Sequence, residues 1–411
     1  MAGVSLTTPL HLNAVKPVVV VPYVPWPANH GGRQRSLECL RGLKGAGLSP
    51  TVACIVRSSD DRAALDALGK AESLKTVPLP FPPPASWSTG DRIGKWLRLL
   101  TGRSSLLPRW VDGAAIDALK PHLDADTTII ADTLWALPLI RACGRDADLL
   151  STHNIEHRVL EMGLPFVRGV AARGLAREAD LLRRFEIEAF RRARTVIACS
   201  EDDAAFIRTV APGRNAITIN NGVDVPALAM LPPPDPNGHL LFVGSYDYPP
   251  NIRAAETLVR RWLPVIRKRL PHARVVLAGR DPQGAVRGLA SDLVTVTGTV
   301  DDLRPWYEGA FACVMPIAEG GGSRIKILES FAHGRPVIST KVGASGLRVT
   351  NGVCLAILED AEAAADKLVQ WRDHPNDLAA KLSRARAFVT NNHDWNRLRS
   401  HFAFAVTTLK G

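Results

Sequence analysis

At 411 residues the chain is too long for one ordinary domain and comfortable for two. Hydrophobic residues make up 46% and charged ones 22%, a globular balance that excludes wholesale disorder and supplies sizeable cores. Lys and Arg number 51 against 40 Asp and Glu, and the net charge of +11 points to an anionic partner: a phosphorylated substrate, a lipid surface or nucleic acid. Aromatics are only 6% and no basic run is interleaved with them, which sets nucleic acid aside. The cysteines (Cys39, Cys54, Cys143, Cys199, Cys313 and Cys354) have no metal-site spacing and read as reduced core thiols. Neither a signal-peptide pattern nor an apolar run of membrane-spanning length is present, so the expected location is cytoplasmic, with peripheral contact at the inner membrane face left open.

In chain order, Pro17-Val-Val-Val-Val21, Thr51-Val-Ala-Cys-Ile-Val56, Thr128-Ile-Ile130 and Thr195-Val-Ile-Ala198 read as buried strands. Leu240-Leu-Phe-Val243, Arg274-Val-Val-Leu277, Leu293-Val-Thr-Val296, Ala312-Cys-Val-Met315 and Pro336-Val-Ile-Ser339 follow, most gaps being long enough for a helix. Fully apolar strands alternating with helices predict an α/β protein with parallel sheets covered on both faces. The pattern restarts after Pro226–Pro236, which reads as a linker. The prediction is two tandem doubly wound (Rossmann-like) domains facing a cleft: 1–225, 226–385, and a C-terminal helix in 386–411 packing back toward the N-terminal domain. Ligands of such sheets bind beyond the carboxyl ends of the strands.

The richest stretch is Pro316-Ile-Ala-Glu-Gly-Gly-Gly-Ser-Arg-Ile-Lys-Ile-Leu-Glu-Ser-Phe-Ala-His-Gly-Arg-Pro-Val-Ile-Ser-Thr340. Gly320, Gly321 and Gly322 follow a strand, Ser323 suits a helix N-cap, and Gly334 with Pro336 ends the helix. Bare amides at a glycine-rich helix N-terminus make an anion site, to which Arg324 and Lys326 add charge. Glu329, one to two turns in, can reach a sugar or ribose hydroxyl. A purely structural glycine loop is the competing reading, and the combination of loop, cations and carboxylate favours the phosphate site.

This segment resembles the donor-binding signature of retaining GT-B glycosyltransferases of family 4, in the subgroup reading GGG[ST]RxKxLEAxAxGxPVVST. Further pieces agree in order: Gly31-Gly32, Thr152-His-Asn-Ile-Glu-His157, Ala198-Cys-Ser-Glu201, Asn221-Gly-Val-Asp224, Gly244-Ser-Tyr-Asp-Tyr-Pro-Pro-Asn251 and Gly298-Thr-Val-Asp-Asp-Leu303. The resemblance implies sugar transfer from a nucleotide diphosphate donor with retention, without a metal or other cofactor. It places His153 on the transferred sugar, and Gly244, Thr299 and Val300 along the donor. Gly31, Gly32 and Asn154 fall on the acceptor side, although Gly31-Gly32 reads equally as a tight turn. Two departures stand out. The wider family has glutamates eight positions apart, and here the first position is Gly321, with Glu319 two residues away. The family's usual Arg and Lys after the first strand of the second domain are replaced by Gly244-Ser245, which leaves the diphosphate to Arg324 and Lys326.

Asp124/Asp126 and Asp146/Asp148 mimic a metal-binding Asp-x-Asp motif but precede their strands, at the edge opposite to ligands. Glu156 and His157 stay open between an acceptor role and a solvated one. In Asp91–Leu100, Ile93, Trp96, Leu97 and Leu100 form a stripe with Arg92, Lys95 and Arg98 elsewhere; it fits core packing and docking on anionic lipid alike. The function expected is a glycosyltransferase acting on a lipid-linked or oligosaccharide acceptor of a surface polysaccharide. A nucleotide-sugar 2-epimerase and a degenerate nucleotide-sugar-binding protein are the alternatives.

Overall fold

The computed structural model describes residues 15–29, 31–82, 98–99, 101–280, 284–319, 325–347, 349, 355–407 and 409. The chain divides into two compact units, Met1–Asn220 with Leu398–Gly411, and Asn221–Arg397.

The first unit is built on β1 (Lys16–Val21), β2 (Thr51–Val56), β3 (Lys75–Pro80), β4 (Thr127–Asp132), β5 (Leu149–Ser151), β6 (Thr195–Ala198) and β7 (Asn215–Thr218). They form one sheet in the order β3-β2-β1-β4-β5-β6-β7, and every pair is parallel. Val18 lies opposite Thr51 on one side and Ile129 on the other, and β1 and β4 are buried from end to end apart from Lys16. Such strands have no solvated face, which is why their sequences are continuously apolar. The helix Gly31–Gly45 covers the sheet with Leu37, Leu40 and Leu43. The chain runs outward from β1 in both directions, so the topological switch point lies between β1 and β4.

The second unit repeats the plan with β8 (His239–Val243), β9 (Val275–Ala278), β10 (Val294–Gly298), β11 (Ala310–Met315), β12 (Val337–Ser339) and β13 (Leu355–Ile357). Their order is β10-β9-β8-β11-β12-β13, again all parallel, with the switch point between β8 and β11. The stretch Pro226–Pro236 belongs to this unit and is tied down to it. Leu231 is buried, His333 Nδ1 bonds the Ala229 carbonyl at 3.0 Å, and Arg335 donates to the Pro232 carbonyl at 2.6 Å. A prolyl segment lacks donors, so it is held through carbonyls that accept from buried basic side chains.

From Leu398 the last helix, Trp395–Thr407, is part of the first unit. Arg399 pairs with Glu38, and Phe402 lies 5.4 Å beneath the buried Arg35 guanidinium. Gly42 makes this packing possible: a Cβ there would stand 2.4 Å from the Arg399 carbonyl oxygen.

The tightest backbone approach in the second unit is at the ends of β8 and β9. Gly279 has φ +140°, and a Cβ on it would fall 1.8 Å from the Gly244 oxygen. Both the dihedral and the space demand glycine. Gly279→Ala should therefore destabilise the second unit by about 2–3 kcal/mol or more. Thermal melting followed by circular dichroism checks this, and an unchanged melting temperature would contradict the packing described.

Candidate functional site

At the first switch point Asp132 closes β4, fully buried. It accepts a hydrogen bond from Ser36 of the helix Gly31–Gly45, and His153 Nε2 lies 3.1 Å from its Oδ1. A carboxylate only accepts, so His153 Nε2 carries a proton in this contact. Tyr23, just past β1, joins through a 2.9 Å bond to Ser36. The tyrosine hydroxyl is held well above its usual range by burial and then by Asp132. Arg35, one residue before Ser36, is buried and donates to the Ile219 carbonyl at 2.8 Å; burial lowers its pKa, and Cys199 and Asp132 oppose that shift. Thr133 follows Asp132 with φ +79°, a strained conformation for a β-branched residue and one that recurs at functional sites.

Beyond β5, Asn154 hydrogen-bonds the Glu156 carboxyl, as does Trp135. Burial, and then Glu186, push Glu156 up to about 7. His157 turns the other way: it is buried, with Nδ1 2.5 Å from Glu186, which also accepts the main-chain N–H groups of Glu156 and His157. Glu186 thus caps the short helix Glu156–Glu161, and His157 serves the core. Gly31 opens its helix, and Gly31 and Gly32 are both half-buried.

At the second switch point Glu329 sits in the helix Ile325–Ala332, recessed, with the Tyr307 hydroxyl 3.4 Å from Oε2. Burial pushes Glu329 up to about 7, opposed by Tyr307 and Lys326. Lys326 Nζ bonds Asn251 Oδ1 at 2.8 Å and lies 4.8 Å from the centre of the Phe242 ring. Asn251 also donates to the Ser245 carbonyl at 2.8 Å and packs against Gly244. Arg280, beyond β9, donates to Ser245 Oγ at 2.7 Å and lies 3.4 Å from Asp247. Glu319 is buried in an ion pair with Arg253. Thr299 is exposed and Val300 half-buried after β10.

Gly320, Gly321, Gly322, Ser323 and Arg324 lie outside the described residues, as do Arg92, Ile93, Lys95, Trp96, Leu97 and Leu100 of the amphipathic stripe. Arg98 is described and exposed. The Asp-x-Asp pairs stand at the amino ends of β4 and β5: Asp124 accepts from Thr127, Asp148 from the Ile129 N–H, and Asp146 pairs with Arg141 and Arg192.

Sequence reasoning passed over Tyr23, Ser36, Asp132, Arg253, Arg280 and Tyr307, and quoted Asn251 only as the end of a motif. Asp132 was findable as the polar residue ending an apolar strand, and Asn251 as the polar residue after Pro249-Pro250. The others declare themselves only by contact.

Residues 237–374, within the second unit, match the family model described as glycosyl transferases group 1. A protein of the cps region of Klebsiella pneumoniae, described as an uncharacterized 44.6 kDa protein, is 22% identical over 173 residues, 40% of this chain and 45% of that protein. The match thus takes in less than half of that relative's length. Sucrose-phosphate synthase from Thermosynechococcus elongatus superposes with a TM-score of 0.69 at 18% identity over 96% of this chain and 99% of its own. HepE from Anabaena, solved with UDP and glucose, gives 0.64 at 13% over 96% and 100%. At these identities the likeness establishes the fold: two tandem doubly wound units in GT-B architecture.

Glu329 carries a raised folded-state pKa, so its neutral form is favoured in the native protein. Native stability from this group is full below the unfolded carboxyl pKa and falls as pH rises toward 7. Glu329→Gln removes that loss. The variant's melting temperature relative to the parent should therefore climb between pH 5 and pH 8, and a flat difference would mean that Glu329 titrates normally.

Proposed function

We propose that the protein transfers a sugar, with retention, from a nucleotide diphosphate donor to a hydroxyl of a lipid-linked or oligosaccharide acceptor in surface-polysaccharide synthesis. The observation that carries this reading is Glu329, recessed beside Lys326 and Tyr307 at the second switch point, inside the segment that matches glycosyl transferases group 1. The Anabaena neighbour, solved with UDP and glucose, and the cps-region relative point the same way.

In this reading Glu329 accepts hydrogen bonds from the donor ribose, in place of the Tyr307 contact. Lys326 and, by family resemblance, Arg324 and the Gly320–Ser323 amides stabilise charge growing on the departing diphosphate. Arg280 brings a guanidinium to Ser245, the place where the wider family carries its cation. His153, oriented by Asp132 through Nε2, receives the transferred sugar. Leaving group and incoming hydroxyl share one face of the sugar, so catalysis is positioning and electrostatics, with no covalent enzyme intermediate. Cationic side chains do the work of a metal on the phosphates.

The test is transfer from candidate nucleotide sugars in excess EDTA. Glu329→Gln should lower donor affinity or turnover roughly tenfold or more, since a charged acceptor is lost, and Glu319→Gln should do less. The parent's affinity for nucleoside diphosphate should rise with pH toward 7 and level off, because ribose donors select the ionised carboxylate, and the Gln variant should lose that slope. Activity abolished by EDTA and restored by magnesium, or a reversed ranking of the two variants, would overturn the assignment.

A lipid-linked acceptor gains support from one surface of the first unit. Phe166 is 51% and Val170 64% exposed, at the start of the helix Gly169–Arg192, beside the exposed Arg168 and Arg173. Apolar side chains framed by arginines suit an anionic membrane face, where each basic residue contributes about 1 kcal/mol. Co-sedimentation with vesicles containing anionic lipid should be seen at low salt, weaken at high salt, and drop in Phe166→Ser with Arg168→Glu. Indifference of the parent to anionic vesicles would make the acceptor a soluble one.

A further inference from the structure

A continuous strip of side chains crosses the carboxyl edge of the first sheet. Phe81 follows β3, Arg57 follows β2, Trp110 ends the turn Leu107–Trp110, Trp135 follows β4, and Asn154 and Glu156 follow β5. Each touches the next. The Arg57 guanidinium lies 5.6 Å from the Phe81 ring centre and 5.1 Å from that of Trp110. Trp110 and Trp135 are 5.8 Å apart and tilted by 32°. Trp135 bonds the Glu156 carboxyl, which bonds Asn154, the neighbour of His153. Arg57, Trp110, Trp135, Asn154 and Glu156 all keep partial exposure.

Trp110 and Trp135 pack against the core of the first unit and also keep an exposed part at the carboxyl edge. Each of these two large indoles, partly exposed at the edge of the sheet, carries a ring of negative quadrupole. The polarised C–H bonds on the apolar face of a pyranose match such a ring. Among the described residues the Arg57 guanidinium makes no hydrogen bond or ion pair. The nearest opposite charge, Asp61, instead accepts the Arg57 main-chain N–H at 2.9 Å. Burial lowers the Arg57 pKa and Asp61 opposes that shift; a guanidinium keeps its charge in proteins, so a positive charge lies against two rings with its N–H fork unused among the described residues. Such a fork fits a phosphate in two parallel hydrogen bonds. At the other end of the strip Glu156 and Asn154 offer hydrogen-bonding groups suited to sugar hydroxyls.

We infer that this strip is the acceptor subsite and that it binds a sugar carrying a phosphate group, the pyranose against Trp110 and Trp135 and the phosphate on Arg57. The inference rests on the glycosyl-transfer reading for the word acceptor, while the binding itself can be measured without donor or turnover. The chemistry is shared by a soluble sugar phosphate and by a sugar on a polyprenyl diphosphate, and the two are separated by experiment.

Glucose 1-phosphate, methyl glucoside and inorganic phosphate are titrated against the full chain by saturation-transfer NMR, and a glucose-bearing short polyprenyl diphosphate in detergent forms a fourth arm. Glucose 1-phosphate should bind more tightly than either methyl glucoside or phosphate alone. Arg57→Gln should weaken it about tenfold, the loss of a charge-assisted pair, and leave methyl glucoside unchanged. Trp110→Leu should weaken both sugars. Glu329→Gln and Lys326→Ala, in the second unit, should change neither. Tighter binding of the polyprenyl compound than of glucose 1-phosphate, lost in the same variants, identifies the lipid-linked source. Glucose 1-phosphate binding that survives Arg57→Gln, or that is lost only with Lys326→Ala, overturns the subsite. Binding of UDP in parallel separates the two ideas: an intact UDP response with no effect at Arg57 refutes the strip alone. Melting curves for Trp110→Leu guard against misfolding, and Arg57→Gln, at a half-exposed position, decides by itself.

Discussion

A parallel sheet buried on both faces leaves polar chemistry one place to stand, and that constraint organises this molecule. The strands Lys16–Val21 and Ala310–Met315 are sealed almost throughout, so no side chain along them can meet a solute. Only where neighbouring connections leave a sheet in opposite directions does a crevice open at the carboxyl edge. The described candidate groups gather there: Ser36, Asp132 and His153 in one unit, Asn251, Lys326 and Glu329 in the other. The close approach of Gly279 to Gly244 belongs to the same edge, where a Cβ on Gly279 would strike the Gly244 backbone and one on Gly244 would crowd the Asn251 side chain.

The buried carboxylates divide by how fully they are satisfied. Glu186 accepts three N–H groups, and Glu178 accepts from Ser104, the Ser105 N–H and the Ser105 hydroxyl. Glu38 is bridged by Arg41 and Arg399. These are braces between distant segments, and removing a partner would strand a buried charge. Glu329 and Glu156 have poorer company, and burial raises both to about 7. Perturbed, under-bonded carboxyls at a ligand edge mark candidate sites, while satisfied ones mark architecture.

Much of the fold was legible in the sequence because buried parallel strands leave unbroken apolar runs. The strands it passed over lie largely at the edges. Lys75–Pro80 carries two prolines, which an edge strand tolerates, and Asn215–Thr218 and Leu355–Ile357 are short and flank their sheets. One or two buried residues suffice when one neighbour supplies the register, and no window of sequence registers that. Site residues were legible where a local pattern carried them, as with Lys326 and Glu329. They were hidden where chemistry arises from remote contact: Arg57 sits 24 residues before Phe81 and gains its role only by lying between two rings. The segment Pro226–Pro236 misled for a related reason. Proline and exposure suggest a free linker, yet its carbonyls are tethered by His333, Arg335 and Arg386.

The departures from the wider family's pattern become coherent once charges are paired. With Gly321 in the place of a glutamate, Glu319 is the nearest carboxylate, and it is held by Arg253. Arg280 is likewise held near Asp247, and Lys326 by the amide oxygen of Asn251. Each of these cations has a partner that fixes the direction of its stem. In the reading proposed above, a diphosphate would compete for these N–H donors with more charge than a carboxylate carries, and little side-chain entropy would remain to be lost on binding. In that same reading, a site that lacks the usual cations beside its first strand would still gather positive charge there. The charge comes from the next strand and from the helix Ile325–Ala332, and Ser245 is the tether that draws it in.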